Sequence, residues 1–159
     1  MHLYETHLPV ANTEIAKDFY TDVVGLPFAY RDPTRDIVFL WAASKEQGLI
    51  GLWGPNTVYG PQAGVDRMCH LAFAISLDQL FATIKRLSQQ DIETFGFGGG
   101  NSEEPSVIGW MPSAQIYFRD PDGHTLEFIS ILAEEPHPDF IGTYSQWKDL
   151  FADRSRNTR

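Results

Sequence analysis

The chain has one cysteine, Cys69, in 159 residues. No intramolecular disulfide framework is available to it, and a reducing, cytoplasmic setting is the expectation. Basic residues are also scarce: 12 Lys and Arg stand against 21 Asp and Glu, for a net charge of −9. A surface of that sign repels phosphate backbones and anionic lipid, so neither nucleic acid nor a membrane is an expected partner. The one basic run, RSRNTR at 154–159, reads as a solvated tail. Nor does any apolar stretch approach the roughly 20 residues that span a bilayer. The opening MHLYETHLPVAN has no basic stretch followed by an apolar one, so no secretory signal is expected. With 43% hydrophobic and 13% aromatic residues, the chain has enough apolar surface for one folded domain over 1–159.

Periodicity then sorts the chain into elements. LYETHLPV alternates like a strand, with Leu3, Glu5 and His7 on one face. EIAKDFYTDVV has helical spacing, with Ile15, Phe19 and Val23 as its apolar stripe, Asn12 or Thr13 as cap and Gly25 as stop. PFAYRD, DIVFLWA and GLIGLWG read as three short strands, and PNTVYGPQAGVD as a linker. The plan then restarts. RMCHLAFAI reads as a strand, and QLFATIKRLSQQ as a helix opened by Ser76 or Asp78, with Leu80, Ile84 and Leu87 inward. IETFGF follows, then the glycine-rich stretch GGGNSEEPSVIGWMPS, read as a long loop over Gly98 to Pro112. AQIYFRD and HTLEFISIL form a hairpin about Pro121-Asp122-Gly123, where proline presets φ and glycine accepts a positive one. PHPDFIGTYSQWKDLFADRSR reads as a crossing segment and an amphipathic turn or helix carrying Trp147, Leu150 and Phe151, suited to covering a sheet edge or a partner.

Each half thus reads strand, helix, then about three strands. The expected fold is α+β, with module one at about 1–56, module two at about 66–132 and an extension at 133–159. His7 and His70 fall in equivalent first strands, and Glu127 falls in the last strand of the second half. Two imidazoles and a carboxylate converging from separate strands suit a divalent transition metal with open coordination positions. Coordination would also account for a carboxylate among Leu126, Phe128 and Ile129, since an unpaired buried charge is costly. The competing reading makes each histidine a hydrogen-bonded core residue and turns Glu127 toward solvent.

The segments THLPVANTEIAKDFYTDVVGL, CHLAFAI and IYFRDPDGHTLEF resemble the signature segments of the vicinal oxygen chelate superfamily, which includes glyoxalase I, fosfomycin- and bleomycin-resistance proteins and extradiol dioxygenases. The resemblance covers roughly Leu3 to Leu132. It implies two βαβββ modules forming a cupped, mostly antiparallel eight-stranded sheet around one metal ion, often in a homodimer. His7, His70 and Glu127 would be its protein ligands. The ion could be Fe, Mn, Ni or Zn. Bleomycin-binding relatives keep this fold without metal, so the ligand residues and not the fold carry an enzymatic reading.

Departures from the family narrow the substrate. Glyoxalase I-type enzymes have a fourth ligand, a glutamate in the last strand of module one, and Gly51 occupies the matching position here. Glycine can neither ligate nor abstract a proton, so glyoxalase I activity is not expected. No Lys or Arg lies between Ile92 and Phe118, which argues against a phosphonate dianion as substrate. The face Leu49, Gly51, Trp53, together with Tyr117 and Trp110, offers an apolar surface for a small, flat molecule. His124 and Tyr117 are the nearest candidates for acid-base work, although a turn histidine exposed to solvent and a packing tyrosine are the plainer readings, and no catalytic base is assigned. The functional expectation is a metal-dependent lyase, isomerase, transferase or ring-cleaving dioxygenase acting on a bidentate oxygen ligand. Its alternative is a metal-free binding or drug-sequestering protein of the bleomycin-resistance type.

Overall fold

A computed structural model describes residues 2–64, 68–100 and 103–152. The basic run at 154–159 and part of the glycine-rich stretch lie outside those residues. Two compact units emerge, one made of Met1–Cys69 with Asp120–His124, the other of His70–Arg119 with Thr125–Arg159.

In the first unit, β1 (Glu5–Pro9) leads into α1 (Thr13–Phe19). Asn12 caps the helix, its side chain accepting from the N–H groups of Glu14 and Ile15 at 2.9 and 3.1 Å. The last turn widens to π geometry over Tyr20–Val24 and stops at Gly25, whose φ of +91° suits a residue without Cβ. The buried stripe is Thr13, Ala16 and Tyr20, whereas Ile15 is exposed. This corrects the expected stripe of Ile15, Phe19 and Val23. A small Ala16 lets the helix approach the sheet closely, and the Tyr20 hydroxyl has a buried partner, so polarity alone misjudged which side turned inward.

Strands β2 (Phe28–Arg31), β3 (Ile37–Trp41) and β4 (Leu49–Trp53) complete a four-stranded sheet in the order β1-β4-β3-β2, with β1 parallel to β4. Alternation puts Leu8, Val38, Leu40, Ile50 and Leu52 on the buried face beneath α1. The opposite face carries Glu5 and His7, Leu49, Gly51 and Trp53, and Phe39 and Trp41.

The second unit repeats the path. β5 (His70–Ala74) is followed by α2 (Leu77–Ser88), opened by a reciprocal cap between Ser76 and Gln79 at 2.9 and 3.3 Å. Then come β6 (Ser106–Ile108), β7 (Ser113–Arg119) and β8 (Thr125–Ile131). The second-strand position is filled by Ser106–Ile108, from within the stretch read as a loop, while IETFGF contributes a single bridge, Phe95 to Tyr117. Three residues are too few for alternation to declare itself. Strand β9 (Ile141–Thr143) pairs with the free edge of β6, giving the order β5-β8-β7-β6-β9 with β5 parallel to β8. Among the described residues the strands therefore number nine, in sheets of four and five, the ninth coming from the C-terminal extension. Helix α3 (Tyr144–Ala152) buries Trp147 among the rings of His137, Phe140 and Phe151, at 5.6, 5.1 and 5.2 Å between centroids.

The turn Asp120–His124 joins β7 to β8 and counts with the first unit because its polar groups are used there. The Tyr20 hydroxyl donates to Asp120 Oδ2 at 2.8 Å, and the Ala11 N–H donates to Asp122 Oδ1 at 2.7 Å. The other Asp120 oxygen accepts from the N–H groups of Asp122 and His124, at 3.0 and 2.8 Å. His124 is 3% exposed, which overturns its reading as a solvent-facing turn residue. Its Nε2 lies 2.8 Å from the Pro9 carbonyl and must carry the proton, while Nδ1 accepts from the Cys69 N–H at 3.1 Å. Both nitrogens are thus committed to holding the turn, leaving neither for proton transfer. No helix among the described residues is long and apolar enough to cross a membrane.

Candidate functional site

In the second unit, three adjacent strands deliver a polar cluster to one face. Parallel pairing sets His70 opposite Thr125 and Ala72 opposite Glu127, and antiparallel pairing sets Tyr117 opposite Glu127. From the edge strand His70 reaches diagonally along β8, bringing Nε2 to 3.0 Å from Glu127 Oε2. Glu127 does not face solvent. Its side chain is 8% exposed against 52% for His70, so a buried carboxylate is met by an imidazole open on its other side.

Burial pushes the Glu127 carboxyl above its ordinary range, and the charge and hydrogen bond of His70, with the hydrogen bond of Tyr117, oppose that rise without cancelling it. The Tyr117 phenol is in turn pushed up to about 12, by burial first and then by the neighbouring carboxylate. It stays protonated at neutral pH and serves as a donor. Phe95 stacks on the Tyr117 ring at 5.8 Å, and the Arg119 guanidinium lies 5.5 Å from the Phe95 centroid, so the tyrosine is clamped from behind. On β5 the same face is open, with His70, Ala72 and Ala74 exposed.

The first unit places His7 in a comparable strand with other neighbours. Its ring lies 4.9 Å from Trp53 and 4.8 Å from Tyr59, and its Nε2 is 2.9 Å from Glu5 Oε1. His7 pairs with Gly51, and a Cβ added there would lie 2.7 Å from Trp53 Nε1 and 2.9 Å from His7 Cδ2. The space beside Gly51 is thus filled by this chain's own indole and imidazole. With HLPVA laid on HLAFA, His7 pairs with Gly51 as His70 pairs with Thr125. The residue in the place of Glu127 is then Trp53, two residues beyond the expected correspondence at Gly51.

Leu49 is half-buried on the same face of β4, opposite Glu5 and Trp41. Trp110 is 63% exposed in the turn ahead of β7, whereas Tyr117 stands near the other end of that strand. The expected residues therefore gather as His70, Glu127 and Tyr117 in one unit and as His7, Leu49, Gly51 and Trp53 in the other. Tyr59 escaped the sequence reading because it sits in an aperiodic linker. Gln115 escaped it too, although alternation in AQIYF already placed it on the Tyr117 face.

The chemistry of His70 and Glu127 fits a divalent cation. Two donors each ~2.0–2.2 Å from one ion, at about a right angle, lie ~3 Å apart, and the nitrogen and oxygen here are 3.0 Å apart. No group of three His, Cys, Asp or Glu side chains arranged to hold a metal is present among the described residues.

Comparison with known proteins bears on the whole chain. No curated protein matches it in sequence. Among solved structures, an integron cassette protein from the mobile metagenome of the Halifax Harbour sewage outfall is 25% identical, with a TM-score of 0.67 over 82% of this chain and 98% of that one. A lactoylglutathione lyase from Agrobacterium tumefaciens is 22% identical, with a TM-score of 0.60 over 81% and 92%. An antibiotic-binding protein from a Streptomyces species is 19% identical, with a TM-score of 0.59 over 83% and 97%. Such likeness extends to the fold, and the fold hosts both an enzyme and a binding protein. A family model matches residues 2–128, most of the chain from before β1 into β8, and by that match the chain belongs to the Glyoxalase/Bleomycin resistance protein/Dioxygenase superfamily.

Proposed function

We propose that this protein is a divalent-metal-dependent enzyme acting on a small, largely apolar molecule that chelates through two oxygens. One observation carries the reading: a half-exposed imidazole and a buried carboxylate stand 3.0 Å apart on one sheet face, with a phenol directed at the same carboxylate. A structural pair has little need of so costly a group, since a buried carboxylate above its ordinary range detracts from stability at neutral pH. His70 and Glu127 would hold the cation, and His7 would be the third donor, supported by its equivalent place in HLPVA. When bound, the cation supplies Lewis-acid stabilisation of a developing enolate or oxyanion.

The chain's own groups have separable tasks. Tyr117 donates to the carboxylate and fixes its orientation. Exposed Ala72 and Ala74 leave a low floor beside His70 for the ligand. Burial around Glu127 and Tyr117 excludes water from one side of the ligand.

The test is metal content after reconstitution with Mn, Fe, Ni and Zn in turn, read by elemental analysis. About one ion per chain is expected, falling below about a tenth in His70→Ala and Glu127→Gln and several-fold in His7→Ala. No uptake by the parent protein would refute the enzymatic reading. Full uptake by His7→Ala would refute that donor alone.

A metal-free binding function is the second reading, favoured by His7, whose ring is enclosed by Trp53 and Tyr59 and whose Nε2 is engaged by Glu5. Tight binding of a flat aromatic compound without metal, abolished by Tyr59→Ala, would sustain it.

A further inference from the structure

Gln115 is 0% exposed, and neither its Oε1 nor its Nε2 has a hydrogen-bond partner among the described residues. Both ends of a buried primary amide are seldom left unmatched, because each unmet group has lost its water without a replacement. Its backbone is well used, the carbonyl accepting from Ser106 Oγ at 3.2 Å, so the unmatched groups belong to the side chain alone. An apolar residue of similar size would avoid that cost.

Its position is the second observation. Gln115 lies on the face of β7 that carries Tyr117, and it pairs with Ile129, which shares the face of β8 that carries Glu127. Residues two apart on a strand are ~7 Å apart, so the amide sits one side chain beyond the polar cluster, away from the open edge. Exposure falls across this face in that direction. Ala72 and Ala74 on β5 are exposed, Ile129 is half-exposed, and Gln115 is closed. A molecule entering over β5 and anchored at His70 and Glu127 would pass Ile129 before it met the amide.

We infer that Gln115 is a specificity-determining residue of the His70–Glu127 site, reading a ligand group that carries an acceptor and a donor on one carbon, as a carboxamide does. This rests on the reading of that pair as the ligand anchor. Paired with such a group, both ends of the amide are satisfied at once, and a ligand with a methyl group in that place leaves them unmet. Discrimination by a buried polar group works in this way: the penalty falls on the analogue that cannot bond.

The experiment uses the full chain loaded with Ni and titrated calorimetrically with benzohydroxamate and 4-carbamoylbenzohydroxamate, which differ only in a carboxamide on the far side of the chelating oxygens. The carbamoyl probe should bind about 10-fold more tightly, the equivalent of about 1.4 kcal/mol. In Gln115→Met the ratio should fall to about one with nickel content unchanged and the melting temperature equal or higher. Equal affinities in the parent protein, or a preference that survives in Gln115→Met, would overturn the inference. Loss of fold in both Gln115→Met and Gln115→Leu would assign the amide a structural partner and overturn it too. If the parent takes up no nickel, the metal reading fails by itself. The inference is then decided on metal-free protein with benzamide against toluene: a preference for benzamide lost in Gln115→Met sustains it, and equal or absent binding ends it.

Discussion

The first unit and the second each set a histidine in the opening strand of a βαβββ path, beside the parallel last strand of the same path. His70 finds a carboxylate two residues past its pairing partner, and His7 finds an indole at the corresponding place. Backbone register is alike in the two, so it fixes where the side chains meet without fixing what they do there. In one unit the position holds a carboxyl group kept against the cost of burial. In the other it holds a large ring that fills space around a glycine. A duplicated frame can therefore carry one polar centre and one packed aromatic wall. A fold that supports both also explains why relatives with the same architecture include a lyase and an antibiotic-binding protein.

The contrast can be broken most severely at the aromatic side. Trp53→Ala removes a buried indole and leaves a cavity beside Gly51, for an expected loss of about 3–5 kcal/mol by denaturant unfolding. Gly51→Ala should cost about 1–3 kcal/mol, because the added methyl meets Trp53 and His7 in a filled space. A neutral Gly51→Ala would mean that the indole is free to move and that the wall is an open pocket.

The smallest effect belongs to the polar side. The Glu127 carboxyl is raised by burial, so above the ordinary glutamate value, about 4.3, the folded state holds its proton more firmly than the unfolded chain does. Stability is then complete below that value and falls as pH rises through the raised one. With a chelator present, Glu127→Gln should remove this fall and melt roughly 2–4 °C higher at pH 8, the equivalent of about 1 kcal/mol at this size. A variant that melts lower than its parent there would show that His70 and Tyr117 offset the burial, and both units would then be stabilised at this position.

Much of this could be read along the chain. Asn12, Ser76, Gly25 and the Pro121-Asp122-Gly123 turn act within a few residues of themselves, so their chemistry is local and legible. The polar face around Glu127 was legible too, because alternation in HTLEFISIL and the repeat of HLPVA in HLAFA fix sides and places. Strand β6 was not, since Ser106–Ile108 is a strand only by virtue of β7 and β9 beside it. His124 looked exposed because the Pro9 carbonyl that engages it is remote in sequence.

Sequence by itself determined the class of fold, the doubling of its modules and the two histidines with one acid that could serve chemistry, because period, caps and turns are short-range properties of the chain. Tertiary structure alone decided that Glu127 is buried against His70, that Trp53 takes the corresponding place beside His7, and that the amide of Gln115 is closed in without a partner among the described residues. Those outcomes depend on which strands lie side by side and in what register, and pairing between distant segments is set by the burial of whole faces.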